Sequence, residues 1–129
     1  MWWFLLLYFP IFTSSINCNP GTFIYSETCQ NCPKGWSSSL SNAINCKECL
    51  AGTFAESIAT GVCKECPIGY YTEEARSHRC LACRKGTYQS ETSGTECTDC
   101  QQGTFSNEIA TGGCKECPVG FHQKFSGPV

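Results

Sequence analysis

Hydrophobic residues are concentrated at the amino terminus of this chain, and only isolated ones follow. Residues 1–12 read M-W-W-F-L-L-L-Y-F-P-I-F and carry no charged side chain. The rest of the chain is polar and rich in Ser, Thr and Gly, interrupted at intervals by one or two aromatic residues. This pattern predicts short extended segments around the aromatics, joined by loops.

The amino-terminal run has the length and composition of the hydrophobic region of a secretory signal peptide. It spans about eleven apolar residues, which is too short to cross a bilayer as a helix. The small residues Thr13, Ser14 and Ser15 follow it and allow cleavage after Ser15. We therefore predict a signal peptide over residues 1–15 and a secreted or extracellular-surface protein. A buried strand, the start of a helix and a retained signal anchor are the alternatives.

The polar part of the chain contains a repeat that its cysteines define. From Cys29 onward the pattern is C-x2-C-x13, a 17-residue period without insertion or deletion, and Cys18 opens a shortened first unit. A fixed period is typical of a linear array in which each unit contacts only its neighbours. We therefore predict one cysteine-rich repeat array over residues 18–129, in which the unit that begins at Cys117 is incomplete.

Each unit also carries a glycine and an aromatic residue at fixed places. The glycine stands three residues after the second cysteine of each pair, at positions 21, 35, 52, 69, 86, 103 and 120. An aromatic follows two residues later in five units, whereas Trp36 and Phe121 directly follow their glycine. Glycine permits positive φ or a close backbone approach, and the aromatic is placed to lie over a disulfide or a neighbouring unit.

Composition indicates what holds such a chain together. Leu, Ile, Val and Phe make up about 14% of the residues from Cys18 onward, below the roughly 20% expected of a chain with a packed core. Cysteine makes up about 12% of the same stretch, above the roughly 8–10% that marks a disulfide scaffold. The net charge of −2 is too small for self-repulsion to explain the missing core. The sequence therefore predicts a small disulfide-rich fold, a linear array of units with a 17-residue period and little regular secondary structure.

Two regular disulfide schemes fit the spacing of the 13 cysteines. The first closes each loop on itself and pairs Cys18–Cys29, Cys32–Cys46, Cys49–Cys63, Cys66–Cys80, Cys83–Cys97 and Cys100–Cys114, which leaves Cys117 unpaired. The second joins successive C-x2-C motifs, for example Cys29–Cys46 with Cys32–Cys49, and leaves Cys18 over. We prefer the first scheme because it accounts for both the short opening loop and the odd cysteine near the end. Each closure of about 15 residues contributes about 3 kcal/mol in the chain-entropy model.

The unpaired Cys117 of the first scheme indicates a disulfide partner outside this stretch of chain. In the first scheme the partner of Cys117 would stand two residues beyond Val129. This spacing favours a piece of a longer array or a truncated gene product, and an intermolecular disulfide is the alternative.

Other function classes find little support in the residues. No basic run is longer than Arg84-Lys85, so no nucleic acid is expected as a partner. No apolar stretch reaches 18 residues, so no membrane span is expected in this chain. Asp99, His78 and His122 are the only aspartate and histidines, which is a poor inventory for acid–base catalysis. We therefore expect no enzyme and no cofactor.

The C-x2-C pairs themselves admit two chemical alternatives. Two such pairs supply four thiolates, which is a zinc-ligand set, and a single pair also serves thiol–disulfide exchange. The signal-like amino terminus and the repeated glycine–aromatic pattern argue against zinc, and no βαβ pattern surrounds any pair. We expect no metal site, and keep a zinc-binding C-x2-C protein as a minor alternative. The residues between the paired cysteines, Lys-Glu in three pairs, are expected to be solvated linkers.

The residues that carry a family likeness are the repeated C-x2-G-T-[FY] and C-x2-C-P-x-G-[YF] segments. They resemble the ephrin type A/B receptor-like cysteine-rich repeat of the growth-factor-receptor cysteine-rich superfamily. The single-disulfide unit also looks like the first module of tumour-necrosis-factor-receptor cysteine-rich domains, although the extra cysteines of their second module are missing here. The resemblance implies an extracellular, elongated and mostly irregular rod with short β-hairpins.

These observations favour an extracellular cysteine-rich repeat protein, or a fragment of a larger surface protein, with a structural or protein-binding role. Its partners are expected to be proteins, contacted through exposed aromatics and loops. A receptor-like or decoy ligand-binding module is the alternative.

Overall fold

The computed structural model describes residues 15–118, and within them the chain forms twelve short β-strands and no helix. The strands are β1 Thr22–Tyr25, β2 Thr28–Asn31, β3 Trp36–Ser37, β4 Lys47–Glu48, β5 Thr53–Phe54, β6 Lys64–Glu65, β7 Tyr70–Tyr71, β8 Leu81–Ala82, β9 Thr87–Tyr88, β10 Thr98–Asp99, β11 Thr104–Phe105 and β12 Lys115–Glu116. This part of the chain accordingly has no helix that would cross a membrane. Residues 1–14 of the expected signal peptide and residues 119–129 of the expected array lie outside the described residues.

Consecutive strands pair as six antiparallel two-stranded sheets. In the third of them, Thr53 pairs with Glu65 and Phe54 pairs with Lys64. The two residues between the cysteines of a C-x2-C pair therefore belong to the second strand of a hairpin. Most of them are exposed, as expected, but they pair with another strand and are not unstructured linkers. The predicted disulfide-rich tandem array of small paired-strand units, with little regular structure, is confirmed.

A tight turn precedes the first strand of each hairpin. After Cys49, the N–H of Thr53 donates to the carbonyl of Leu50 at 3.0 Å, and Gly52 at the third turn position has a φ of 84°. This φ is what the third position of a type II turn requires, and glycine adopts it without steric cost. Thr53 Oγ1 donates a second hydrogen bond to the same carbonyl at 2.8 Å.

The disulfide loops divide the described chain into six units. Unit 1 covers residues 18–29, unit 2 covers 32–46, unit 3 covers 49–63, unit 4 covers 66–80, unit 5 covers 83–97 and unit 6 covers 100–114. The cysteine that opens each unit is only 0–1% exposed, and among the other apolar side chains only Ala55 is comparably buried. The core of the described array is therefore a row of half-cystines.

Three backbone hydrogen bonds join each pair of neighbouring units. Between units 3 and 4, written donor to acceptor, they are Gly52 to Thr72 at 3.1 Å, Ala55 to Ser77 at 3.1 Å and Arg76 to Cys49 at 2.7 Å. Equivalent bonds recur at the other four junctions of the described chain. At about 1 kcal/mol net per hydrogen bond, these contacts hold the units in one register.

Packing extends beyond the neighbouring unit. A Cβ atom built on Gly52 of unit 3 would overlap the carbonyl oxygen of Ser93 in unit 5 and lie 2.9 Å from its carbonyl carbon. The turn glycines of units 1, 2 and 4 face residues of units 3, 4 and 6 in the same way, namely Ala59, Arg76 and Ala110. The expectation that each unit contacts only its neighbours is therefore wrong, because these glycines admit the backbone of the second unit along the chain.

The first hairpin has a turn that its sequence does not favour. Ser26 and Glu27 have φ values of 46° and 58°, and two consecutive positive values between paired strands define a type I′ turn, for which Asn-Gly is preferred. We expect Ser26→Asn with Glu27→Gly to raise the free energy of unfolding by about 1 kcal/mol. Denaturant unfolding of the oxidised protein measures this change.

The same residue pair recurs outside such a turn and provides a matched control. Ser90 and Glu91 are exposed and do not have positive φ. Ser90→Asn with Glu91→Gly should leave the free energy of unfolding unchanged or lower it, because glycine there only adds freedom to the unfolded chain. Equal effects of the two double variants would contradict the turn assignment.

Candidate interaction surface

In the structure, each disulfide joins the two cysteines at the ends of one loop. The disulfides are Cys18–Cys29, Cys32–Cys46, Cys49–Cys63, Cys66–Cys80, Cys83–Cys97 and Cys100–Cys114. With these bonds formed, no two C-x2-C motifs retain the four thiolates that a zinc site needs. Residues 15–118 contain no group of three or more Cys, His, Asp and Glu side chains arranged to hold a metal ion.

Cys117 is free and half-buried. Its N–H donates to the carbonyl of Gly103 at 2.9 Å, the same bond that Cys100 makes to Gly86 one unit earlier. The backbone at Cys117 thus follows the repeat, while its sulfur has no disulfide partner in the part of the chain that the structure describes.

The histidine and aspartate of the described chain do not form a catalytic constellation. His78 lies exposed in the loop of unit 4, and Asp99 lies exposed in β10. Neither side chain has a hydrogen bond or ion pair within residues 15–118. His122 lies outside the described residues.

A cleft of about 440 Å³ opens within the loop of unit 4. Its lining includes two glutamates, two arginines and a histidine, namely Glu73, Glu74, Arg76, Arg79 and His78. Of these, only Arg76 has an ion-pair partner in the described part of the chain. The cleft therefore presents both signs of charge to solvent.

A second cleft adjoins the first and extends this polar surface into unit 5. It has a volume of about 240 Å³, shares Tyr71 and Glu73 with the first cleft, and is also lined by Arg84, Glu96 and Asp99. By contrast, the cleft of about 280 Å³ in unit 2 is lined by residues 38–45 and Lys47, so Lys47 is its only charged side chain. Among these clefts, charge is concentrated on units 4 and 5.

Arg76 links unit 4 to the hairpin of unit 2. Its Nε donates to Glu48 Oε2 at 2.8 Å, and its guanidinium carbon lies 5.2 Å from the centroid of the Trp36 ring. Trp36 and Glu48 stand directly opposite each other in the β3–β4 pair. This cluster could not be predicted from the sequence, because its three members come from distant parts of the chain and no motif joins them.

The aromatic side chains of the repeat are less accessible than expected. Those of the six described units, Phe23, Trp36, Phe54, Tyr71, Tyr88 and Phe105, are all half-buried. Within residues 15–118, the exposed large hydrophobic side chains are mostly aliphatic, such as Ile44 at 79% and Val62 at 70%, and Tyr25 at 65% is the one aromatic among them. The expectation of a contact surface made of exposed repeat aromatics is therefore wrong, whereas the loops are exposed.

An exposed ion pair between the loop of unit 3 and strand β6 lowers one pKa. Lys64 Nζ lies 2.6 Å from Glu56 Oε1, and its hydrogen bond and charge hold the pKa of Glu56 below its usual value. We expect an NMR titration to show this lowered pKa, and Lys64→Ala to raise it. The pair's contribution to stability is present above the ordinary glutamate pKa and is lost as the pH falls through the lowered value.

The control for this titration is a variant that removes a different basic side chain. Arg76→Ala removes the other ion pair of the described chain, which does not involve Glu56. It should leave the Glu56 titration curve in place. If Lys64→Ala also left the curve in place, the pair would not exist in solution.

Comparison with known proteins gives one family match. The family described as tyrosine-protein kinase ephrin type A/B receptor-like matches residues 35–79 and 86–129. These two segments cover more than half of the chain and include all of units 3 and 6 and most of units 2, 4 and 5. No match was found among curated proteins.

Proposed function

Because the chain belongs to the ephrin type A/B receptor-like family of cysteine-rich repeats, we propose that it is an extracellular repeat module with a structural and protein-binding role. The family is a receptor-like repeat module and not an enzyme class, and the proposed role needs no catalytic group. We further propose that residues 1–15 are a signal peptide that directs the chain to an oxidising compartment.

The single observation that carries this proposal is the row of buried half-cystines. The cysteines that open the six units are the most deeply buried apolar side chains of the described array, together with Ala55. Large aliphatic side chains such as Leu40 and Ile44 remain exposed, so packing of large apolar groups does not replace the disulfides. Such a chain folds stably only where disulfides persist, which is outside the cytosol.

The clefts of units 4 and 5 support the protein-binding part of the proposal. The side chains of Glu73, Glu74, His78 and Arg79 have no hydrogen-bond or ion-pair partner within residues 15–118, so they are available to contact groups of another molecule. This concentration of unpaired charge in one cleft also favours the alternative function, a receptor-like or decoy ligand-binding module.

Non-reducing peptide mapping of the protein secreted by a eukaryotic host tests the proposal. We expect an amino terminus at Ile16, the six loop-closing disulfides, and Cys117 outside all of them. A Cys117→Ser variant is the matched control and should retain the same six disulfides. Retention in the cytosol, free thiols throughout, or stoichiometric zinc bound to reduced cysteines would overturn the proposal.

A further inference from the structure

We infer that the array is a stiff spacer, in which each unit is locked to the two units that follow it, and not a string of independently moving loops. This inference rests on the proposed structural function and specifies it. The part of the molecule that carries it is a set of residues with positive φ, which recur once per unit at Asn42, Ala59, Arg76, Ser93 and Ala110.

Each of the last four of these residues contacts two preceding units as well as belonging to its own. The N–H of Arg76 in unit 4 donates to the carbonyl of Cys49 in unit 3 at 2.7 Å. The carbonyl group of Arg76 lies directly over Gly35 in unit 2, where a built Cβ atom would be 2.6 Å from the carbonyl carbon. One residue therefore fixes three consecutive units relative to one another.

The same arrangement recurs along the described array. Ser93 donates its N–H to Cys66 of unit 4 and covers Gly52 of unit 3, and Ala110 makes the equivalent bond to Cys83. Bending the array between two neighbouring units would therefore also separate backbone atoms that hold the first of them against the second unit after it. Because packed backbone atoms leave no space to deform into, the array resists bending.

The side chain of Arg76 strengthens this contact between units 2 and 4. It pairs with Glu48 at 2.8 Å and lies over the Trp36 ring at 5.2 Å, and both partners belong to the β3–β4 hairpin. The pair is exposed, so its contribution is modest, but it acts across two units. Ala59 and Ala110 adopt the same backbone conformation without such a side chain, so the backbone contact does not depend on it.

Residual dipolar couplings of the full-length oxidised protein test the inference. If the array is stiff, the backbone amide couplings of units 1 to 6 fit a single alignment tensor. A need for separate tensors for different units in the unmodified protein would overturn the inference.

Two pairs of variants test whether the stiffness comes from the contact between each unit and the second unit after it. Gly35→Ala should separate the tensors of units 2 and 4, whereas Gly113→Ala should not, because nothing lies within 4 Å of a Cβ built there and its φ is not positive. Arg76→Ala should speed amide exchange at Trp36 and Cys49 about threefold. Lys64→Ala, which removes an ion pair confined to one hairpin, should leave those rates unchanged.

The outcomes separate this inference from the proposed function. Six loop-closing disulfides together with several alignment tensors would leave the extracellular repeat module standing and overturn the stiff spacer. Reduced cysteines in the secreted protein would overturn both. If Gly35→Ala does not assemble its disulfides, the number of alignment tensors that the unmodified protein requires still decides, and the exchange rates of Arg76→Ala measure only what its side chain adds to the backbone contact.

Discussion

Gly52→Ala is expected to lower the free energy of unfolding of the oxidised protein by about 3 kcal/mol or more. A left-handed φ costs an alanine roughly 1–2 kcal/mol, and the φ of Gly52 is 84°. In addition, the new methyl group would overlap the carbonyl of Ser93, and neither backbone segment can move without straining the hydrogen bonds at two junctions. Denaturant unfolding under non-reducing conditions measures the change.

Two other glycines separate the two causes of this loss. Gly103 has a φ of 87° but nothing within 4 Å of a built Cβ atom, so Gly103→Ala should lose only about 1–2 kcal/mol. Gly113 has neither positive φ nor a close neighbour, so Gly113→Ala should be neutral or stabilise the protein by up to about 1 kcal/mol. If Gly52→Ala and Gly103→Ala cost the same, the close approach of the second unit would not contribute to stability.

The sequence indicates why each turn needs a glycine, but it does not indicate which residue packs against that glycine. Its position three residues after a buried cysteine already predicts positive φ or a close backbone approach. The residue opposite, however, stands well beyond the following unit and contributes only its backbone. Asn42, Ala59, Arg76, Ser93 and Ala110 have a similar positive φ and recur every 17 residues, but they share no side-chain chemistry, so no residue type at that position indicates the contact.

The local part of the fold was predictable for a physical reason. The cysteine period allows two disulfide schemes, and the short opening loop and the odd cysteine near the end favour closure of each loop on itself. Glycine, threonine and aromatic residues specify the turn and the short extended segment after it. Burial was less predictable, because a six-unit array has little interior and the half-cystines fill it. The repeat aromatics are therefore half-buried at the surface of the array instead of fully exposed.

The candidate surface was predictable only in its composition. His78, Arg79 and Glu73 are visible in the sequence as a charged loop, but the cleft they line depends on how the loop of unit 4 closes. The Arg76 contact to Trp36 and Glu48 depends on the relative rotation of units 2 and 4, which the backbone contacts along the array determine. Such long-range geometry follows from packing and leaves no local signature.

Removal of one disulfide is the other change with a large expected effect. Replacing both Cys66 and Cys80 by alanine should lower the free energy of unfolding by about 3–5 kcal/mol, because the unfolded loop is no longer constrained and a core contact of unit 4 is lost. Cys117→Ser, which removes a cysteine that is not in a disulfide, is the control and should change stability by less than about 0.5 kcal/mol. Denaturant unfolding with mass-spectrometric verification of the remaining disulfides measures both.

Two variants of identical composition test whether the half-cystines are the core. Cys66 is 0% exposed, whereas Cys80 is half-buried. A serine hydroxyl without a partner at position 66 costs about 1–3 kcal/mol, while at position 80 it remains partly hydrated. Cys66→Ser with Cys80→Ala should therefore be less stable than Cys66→Ala with Cys80→Ser by about 1–2 kcal/mol. Equal stabilities would mean that the two ends of the bridge are equally solvated, and the disulfides would then act as cross-links alone and not as the interior of the array.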